Sequence, residues 1–578
     1  MSEAQGESWD RSVDLLVVGA GAAGMTAALV GSIDGLEVLV CEKGAKVGGL
    51  TSTSAGTAWI PGTRHSMRAG VPDKLEAARS YVDSILGTSV GAAEREIFLA
   101  SGASAIDYLE AHTAIRFVAP AAHPDYYGNH PGAAFGGRAL GTVPFDGRVL
   151  GPQFERVRPP RKEFMVLGGM MVSKADIPAL LNPWQSLRNL RHVAGMLLRY
   201  GIDRLRFSRG TRLVMGNALV GHLFFALIER KVPIQFETRL DKLVQTDGSV
   251  VGAIFEGPAG PCRVRARKGV VLATGGIGWN SVLREQLFPK AAQARSLAPE
   301  TTTGDGIRAA LEIGASLDDA DRNSGLWMPC SVLDLPDGTQ SVYPHIVLDR
   351  AKPGLLAVNR AGRRFVNEAD SYHDFVLGML RSDQRVPSVP AHLICDHAFI
   401  GRYGIGLLRP GAHTLRPYID AGYLVRGATL SALAPAIGVD GAVLAQTVAD
   451  YNRFAESGVD EEFGRGATDL NRFNGDPDHK PNPCLGSVGP GPFYAVAVWP
   501  ADLANSAGLR TDGESRVLAV DHTPISGLYA CGNDAASIFR GAYPGPGATI
   551  GPAIVFAWRA ALHAARHRGA DAVTVPAA

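Results

Sequence analysis

Residues 13–24, VDLLVVGAGAAG, leave the chain few ways to fold. VDLLVV is a short buried-strand pattern, and it runs directly into Gly19, Gly21 and Gly24 at G-x-G-x-x-G spacing. A helical stretch, MTAALVGSI, follows, and then a second strand, EVLVCEK, reaching Glu42, 18 residues after Gly24. Strand, glycine turn, helix, strand and terminal acid in that order predict a Rossmann-like α/β domain that binds a dinucleotide. The glycines let main chain approach a pyrophosphate at the helix N-terminus, and the acid accepts from a ribose hydroxyl.

NAD and FAD both suit such a unit. The stretch after the acid, KGAKVGGLTSTSAGTAW (43–59), is a second small-residue loop of a kind NAD folds do not need, whereas a flavin must be cradled along its length. Later pieces agree. LDKLVQTDGSVVGAIFE (240–256) predicts a hairpin turning at Asp247-Gly248, and KGVVLATGG (268–276) a strand entering a glycine turn. GLYACGND (527–534) lies near the C-terminus, and no second G-x-G-x-x-G follows a strand, so no site for NAD(P)H as reductant is visible. The expected cofactor is FAD.

At 578 residues the chain predicts two or more domains. An apolar content of 46% with 20% charged residues describes a globular enzyme or binding protein. Lys+Arg 57 against Asp+Glu 56 gives no bias toward a polyanion, so no nucleic-acid partner is expected. The first residues, MSEAQGESWDR, lack the plan of a secretory signal, and no apolar run reaches the roughly 18 residues of a membrane span. The expected location is the cytoplasm. Six scattered cysteines (Cys41, Cys262, Cys330, Cys395, Cys484 and Cys531) form no CxxC pair, which points to reduced, structural thiols and no metal site.

Residues 540–558, RGAYPGPGATIGPAIVFAW, place Tyr543 amid proline and glycine just ahead of an apolar helix. Pro552 suits the first turn of that helix, and Ile554, Val555, Trp558, Leu562 and Ala565 follow at helical spacing. The loop delivers a tyrosine and free backbone N–H groups to a helix N-terminus, a ready site for negative charge. The competing reading is a tight connection whose tyrosine merely packs.

Segments 13–59, 240–276 and 527–563 together resemble the flavoprotein group of fumarate reductase, succinate dehydrogenase and 3-ketosteroid dehydrogenase. The resemblance implies a discontinuous FAD domain, 1–281 plus 499–578, interrupted by a substrate and catalytic capping domain of α+β character, 282–498. It implies FAD contacts at Gly19, Gly21, Ala22, Ala23, Gly24, Glu42 and Lys43, and at Gly48, Gly49, Thr51 and Ser52. Further contacts fall at Leu243, Val244, Ala273, Thr274, Gly275, Gly276, Gly532, Asn533, Gly547 and Ile550. In the fumarate branch a histidine near the second glycine loop often tethers FAD, and an arginine soon after R-F-x-N-E shuttles a proton. Here residues 48–57, GGLTSTSAGT, hold no histidine, so noncovalent FAD is expected. RRFVNEADSYHDF (363–375) carries a tyrosine where that arginine would stand, and a dicarboxylate would demand fixed cations.

Three motifs resemble instead those of 3-ketosteroid Δ1-dehydrogenase: PDYYGNHPG (124–132), NEADSYHDF (367–375) and YPGPG (543–547). The resemblance carries Tyr126 from the first, Tyr372 from the second, and Tyr543 with the Gly547 N–H from the third. Tyr127 is the alternative within the first pair. Such a reaction polarises a ketone, removes one hydrogen as a proton and passes its neighbour as hydride to flavin N5. Tyr543 and Gly547 would donate to the ketone oxygen, each such donor being worth roughly 3–4 kcal/mol of barrier. On this reading glycine stands at 547 so that its N–H reaches the oxygen unobstructed.

Tyr372, on a loop, would take the proton from carbon 2, with Tyr126 stabilising its tyrosinate. An ordinary tyrosine titrates near pH 10, so a base working near neutrality needs roughly 3–4 kcal/mol, part of it supplied by a neighbouring hydroxyl and a positive local field. His373 reads as a surface or supporting residue, Asp374 as a helix-start residue, His123 and His130 as flanking groups, and Cys531 as packing beneath the flavin.

The stretch LNPWQSLRNLRHVAGMLLRYGIDRLRFSRG (181–210) predicts a basic amphipathic helix. It either packs on the domain or a partner subunit, or touches a membrane in which sterols and quinones dissolve. The expected function is FAD-dependent 1,2-dehydrogenation of a 3-ketosteroid with an external electron acceptor, a quinone being one candidate. Rivals are a Δ4-dehydrogenase or enone reductase, a dehydrogenase of a smaller cyclic ketone, and a flavin-containing electron carrier without ketone chemistry.

Overall fold

A computed structural model of the chain describes residues 8–319, 323–346, 349–412 and 414–566. Residues 1–7 and, of the expected second FAD segment, 567–578 lie outside the described residues.

The fingerprint folds as read. Arg11–Val18 is the first strand, Ala22–Ile33 the helix and Val38–Cys41 the second strand. They belong to an eight-stranded sheet in which Ile234–Gln235, Val38–Cys41, Arg11–Val18 and Gly260–Leu272 run side by side. Pro524–Ala530 continues the parallel set along the C-terminal half of Gly260–Leu272. The N-terminal half of that strand pairs antiparallel with Ser249–Gly257, which pairs in turn with Arg239–Thr246. The expected hairpin does turn at Asp247-Gly248, both with positive φ, as a tight right-twisted hairpin requires. Leu15 and Val17 pack on one face of the sheet and Leu16 and Val18 on the other, so the first strand is buried on both sides.

Register decides where a ligand can sit. Val18 lies opposite both Cys41 and Leu272, and Leu272 lies opposite Ala530. Four strands therefore end level, and the turns beginning at Gly19, Glu42, Ala273 and Cys531 emerge together at the carboxyl edge of the sheet, where α/β folds bind ligands.

A second, antiparallel sheet of six strands caps this edge. Its order is Gln340–Pro344, Gly325–Asp334, Phe493–Asn505, Ala391–Asp396 and Leu355–Val358, with Val425–Gly427 also on Phe493–Asn505. Phe493–Asn505 stays paired to this sheet as far as the Gly325–Asn505 pair, so the expected junction at 498/499 falls inside a strand. The expected junction at 281/282 likewise falls inside the helix Ser281–Leu287. Helix Asp305–Leu311 and strand Leu317–Asp318 precede the antiparallel sheet, the helix packing on the FAD-side hairpin.

The 181–210 stretch is not one helix. It divides into the end of Ile177–Leu181, a turn at Pro183–Gln185 and the helix Leu187–Asp203, and of that helix only Met196 and Asp203 are buried. Among the described residues no helix is long and apolar enough to cross a membrane.

Candidate active site

The four turns open into a cavity of about 1700 Å³ between the two sheets. Small-molecule sites typically occupy about 300–1,000 Å³, so it has room for a dinucleotide and a second molecule. Gly19, Gly21, Ala22, Ala23, Glu42 and Lys43 line its nucleotide end. The three fingerprint glycines do different jobs. A Cβ on Gly19 would lie 2.2 Å from the Ala273 carbonyl oxygen, and one on Gly24 would lie 1.9 Å from that of Gly19, so both permit close helix–strand packing. A Cβ on Gly21 would meet no protein atom within 4 Å: this glycine faces open space, as one opposed to a pyrophosphate should.

Glu42 is held by the N–H groups of Ala20 and Gly44, which donate to its two carboxylate oxygens at 2.8 and 2.7 Å. Burial nonetheless raises its pKa. Each oxygen keeps a lone pair for a ribose hydroxyl, so the donor set fits the adenosine end of FAD. Lys43 is engaged by Thr303 and, at 3.0 Å, by Asp305.

Gly49, Thr51, Ala273, Thr274, Gly275, Gly532, Asn533 and Ile550 also line the cavity. Gly24, Gly48, Ser52 and Gly276 stand behind it. Gly48 donates to the Ala20 carbonyl at 2.7 Å, and Ser52 accepts from the Asn217 amide through its carbonyl at 2.6 Å. Leu243 and Val244 do not reach the cavity. The strand Arg239–Thr246 leads away from it, and the residues it presents there are Leu240 and, just before it, Thr238. The sequence analysis missed Asp534. Its buried carboxylate accepts from the Thr274 N–H and hydroxyl and from the Gly276 N–H, tying the 273–276 turn to the 532–534 turn.

At the other end, three tyrosines from three distant segments converge. Ring centroids lie 5.6 Å apart for Tyr126–Tyr372, 5.6 Å for Tyr126–Tyr543 and 5.4 Å for Tyr372–Tyr543. The Tyr126 hydroxyl donates to that of Tyr372 at 3.1 Å, and all three residues line the cavity. Tyr127 points elsewhere, donating to the Asp374 carboxylate at 3.2 Å, so the geometry selects Tyr126.

Tyr372 is not on a loop. It is the first residue of the helix Tyr372–Asp383, whose N-cap Ser371 accepts from the Asp374 N–H. The sequence reading took the polar NEAD run for loop, and the Ser-x-x-Asp cap within it was the overlooked signal. Burial pushes all three tyrosines above the ordinary tyrosine pKa. The expected downward shift of Tyr372 is therefore absent from the resting site.

Gly547 sits with φ +94°, and a Cβ there would lie 2.4 Å from the Thr57 carbonyl oxygen. The glycine is thus demanded by main-chain packing behind it as well as by approach in front. Its carbonyl accepts from the N–H groups of Trp59 and Gly551, while its own N–H meets no acceptor among the described residues and is free for a ligand.

Residues beside the three tyrosines, within the motifs and beyond them, fix this geometry. The Tyr126 N–H donates to the Pro544 carbonyl at 2.9 Å, and the Tyr81 hydroxyl donates to the same oxygen at 2.5 Å. Asp125 accepts from Trp59 Nε1 at 2.7 Å and from Arg138 at 2.6 Å. His373 is fully buried, not on the surface: it accepts from the Trp327 N–H and donates to the Gly541 carbonyl. Beneath the NEAD segment, Glu368 accepts from Arg364 at 2.8 and 2.9 Å and from Arg465 at 3.0 Å. His123 lines the cavity, whereas His130 hydrogen-bonds Ser84 outside it. Cys531 lines the cavity beneath the turns with its thiol pushed upward by burial.

Comparison with known proteins agrees with this arrangement. The FAD binding domain family matches residues 14–550. The chain is 39% identical over 558 residues to 4-oxocyclohex-2-ene-1-carboxylate 5-dehydrogenase of Sinomonas cyclohexanicum, covering 96% of this chain and 94% of the relative. It is 36% identical over 573 residues to the 3-oxosteroid 1-dehydrogenase of Mycobacterium tuberculosis, covering 96% and 99%. The crystal structure of 3-ketosteroid Δ1-dehydrogenase from Sterolibacterium denitrificans, in complex with 1,4-androstadiene-3,17-dione, superposes with a TM-score of 0.89 at 35% identity, covering 96% of this chain and 99% of that one. With its fingerprint, two-sheet fold and tyrosine cluster, this chain belongs to the family of FAD-dependent dehydrogenases that includes the 3-oxosteroid 1-dehydrogenases.

Proposed function

We propose that the protein desaturates a 3-ketosteroid or related cyclic ketone between carbons 1 and 2. The observation that carries this reading is the convergence of Tyr126, Tyr372, Tyr543 and the free Gly547 N–H on one wall of the cavity lined by the nucleotide turns. Bound FAD supplies the acceptor for the hydride from carbon 1.

The Tyr543 hydroxyl and the Gly547 N–H hold the ketone oxygen and stabilise the charge that grows on it as the carbon 2 proton leaves. Polarisation acidifies that proton, which Tyr372 removes. Tyr126, donating to Tyr372, stabilises the tyrosinate at the moment it forms. Tyr372 and Tyr543 are buried in this wall, which limits their contact with water.

The relative acting on a 4-oxocyclohexene carboxylate supports a second substrate class, a small cyclic oxo-acid, for the same chemistry. Anaerobic titration with androst-4-ene-3,17-dione tests the first reading. Bleaching of the flavin band together with a 1,4-diene product is the expected result, and an unbleached flavin with that steroid and with 4-oxocyclohexanecarboxylate would refute ketone dehydrogenation.

We also place the protein in the cytoplasm, in peripheral contact with a membrane. Trp184, Leu187, Leu198 and Leu205 are 83%, 77%, 68% and 82% exposed, Arg188, Arg191, Arg204 and Arg206 stand exposed among them, and Val193 and Leu197 of the same helix line the cavity. Apolar side chains ringed by arginine suit an anionic bilayer surface, from which a sterol and a quinone-class electron acceptor would both arrive.

A further inference from the structure

A group of basic side chains on the cavity wall has no part in the chemistry above. Lys174, Lys352 and His123 all line the cavity and gather around the segment 473–475. Lys174 Nζ lies 4.0 Å from the centre of the Phe473 ring, and the His123 ring lies against the same phenyl group at 5.7 Å. Lys352 Nζ donates to the Gly475 carbonyl at 2.7 Å. Among the described residues neither lysine forms an ion pair, and no donor of Lys174 meets an acceptor.

Two of three Lys352 donors and all three of Lys174 are therefore available. Burial lowers the pKa of both lysines, while for Lys352 the Asp476 carboxylate works against this and Lys174 adds to it. The nearby carboxylate, Asp476, acts on Lys352 but is already engaged by Arg402 and Tyr403, each at 2.6 Å. His123 is held neutral, its pKa pushed down to about 4 by burial and by Lys174.

Two unpaired ammonium groups in a largely apolar cavity form a receptor for an anion, and a carboxylate matches them in charge and donor geometry. The position is informative. His123 precedes Tyr126 by three residues, a separation of at most about 11 Å along extended chain, and both lysines line the same cavity as Tyr543. Met170, Met171, Ile346, Leu408 and Leu470 line the same cavity and provide apolar wall for a ring system.

We infer that the substrate is an oxo-acid: a cyclic or fused-ring ketone carrying a carboxylate remote from the ketone, held by Lys174 and Lys352. This rests on the ketone-dehydrogenase reading and deepens it. Binding is measured calorimetrically in the Tyr372→Phe holoenzyme, which cannot turn over, with 3-oxopregn-4-ene-20-carboxylic acid and its 20-carboxamide. The acid should bind about 10- to 100-fold more tightly, the range expected of charge-assisted hydrogen bonds. Adding Lys174→Met should remove most of that preference, and Lys352→Arg, which keeps the charge, should retain it.

Equal dissociation constants for acid and carboxamide, or a preference that survives Lys174→Met combined with Lys352→Met, would overturn the inference. Flavin bleaching of the wild-type holoenzyme by the neutral carboxamide tests the underlying reading separately: if bleaching fails while the acid preference stands, the reaction is wrong and the anion site remains.

Discussion

At the level of single residues, the tyrosine wall makes two demands on experiment. Phenylalanine at 372 keeps the ring and its packing and removes the base. The Tyr372→Phe enzyme should retain FAD and lose about 10²- to 10⁴-fold in the rate of flavin reduction, measured by anaerobic stopped flow. A loss below tenfold would move the base elsewhere. The second demand is a pH profile. Burial raises the pKa of Tyr372 above its ordinary value, and the active form is the deprotonated one. The reactive fraction of free enzyme therefore grows tenfold for each pH unit, and kcat/KM for a neutral ketone should climb without a plateau to about pH 10. A plateau below pH 9 would show that the pKa is lowered instead.

These residues were legible unequally. Tyr543 and Gly547 stood out because proline and glycine frame them. Tyr126 could not be told from Tyr127 because adjacent side chains diverge only once the backbone path is known. Tyr81 lies in no motif that was weighed, Asp125 and Asp534 sit inside quoted motifs without marking their own role, and such contacts join segments up to 463 residues apart.

Among the elements, the helix that starts at Tyr372 is anchored by charge. Glu368, fully buried, is shared between Arg364 and Arg465, and Arg364 also reaches Asp460 at 2.8 Å. Glu368→Gln would leave the two guanidinium groups short of one counter-charge in a dry interior. The expected loss is about 3–5 kcal/mol of stability, read from urea unfolding of the holoenzyme. A loss under 1 kcal/mol would mean that the pair is solvated in practice.

The helix Leu187–Asp203 is the opposite case, held by few contacts and apolar toward solvent. Replacing Trp184, Leu187 and Leu198 by serine should abolish sedimentation with anionic liposomes while leaving the flavin spectrum unchanged, and unchanged sedimentation would refute the membrane contact. Amphipathic periodicity revealed this helix but not its breaks, because Pro183 sits inside an otherwise periodic stretch. Strand ends and the 247–248 turn were legible because apolar runs and a turn dipeptide mark them. The junctions of the inserted sheet were not, because Phe493–Asn505 carries one apolar run straight from the cap to the FAD domain.

For the whole molecule, the decisive fact is that a cavity of about 1700 Å³ separates the parallel sheet from the cap. FAD would contact the turns at Gly19, Glu42, Ala273 and Gly532 on one side and the loops bearing Thr51 and Gly547 on the other, so it doubles as a structural element between them. A ligand bound to the native state alone stabilises it by about 4 kcal/mol when present at 1,000 times its dissociation constant. In a chain of 578 residues that shift corresponds to about three degrees in Tm. FAD-stripped protein should therefore melt about three degrees below the holoenzyme and regain the difference when FAD is returned. Because Asp534 ties the 273–276 turn to the 532–534 turn, Asp534→Asn should weaken that recovery by raising the FAD dissociation constant about tenfold or more, the value of one charge-assisted hydrogen bond. Equal Tm for apo and holo protein would mean that sheet and cap are held by their own contacts and that the cofactor merely occupies the gap.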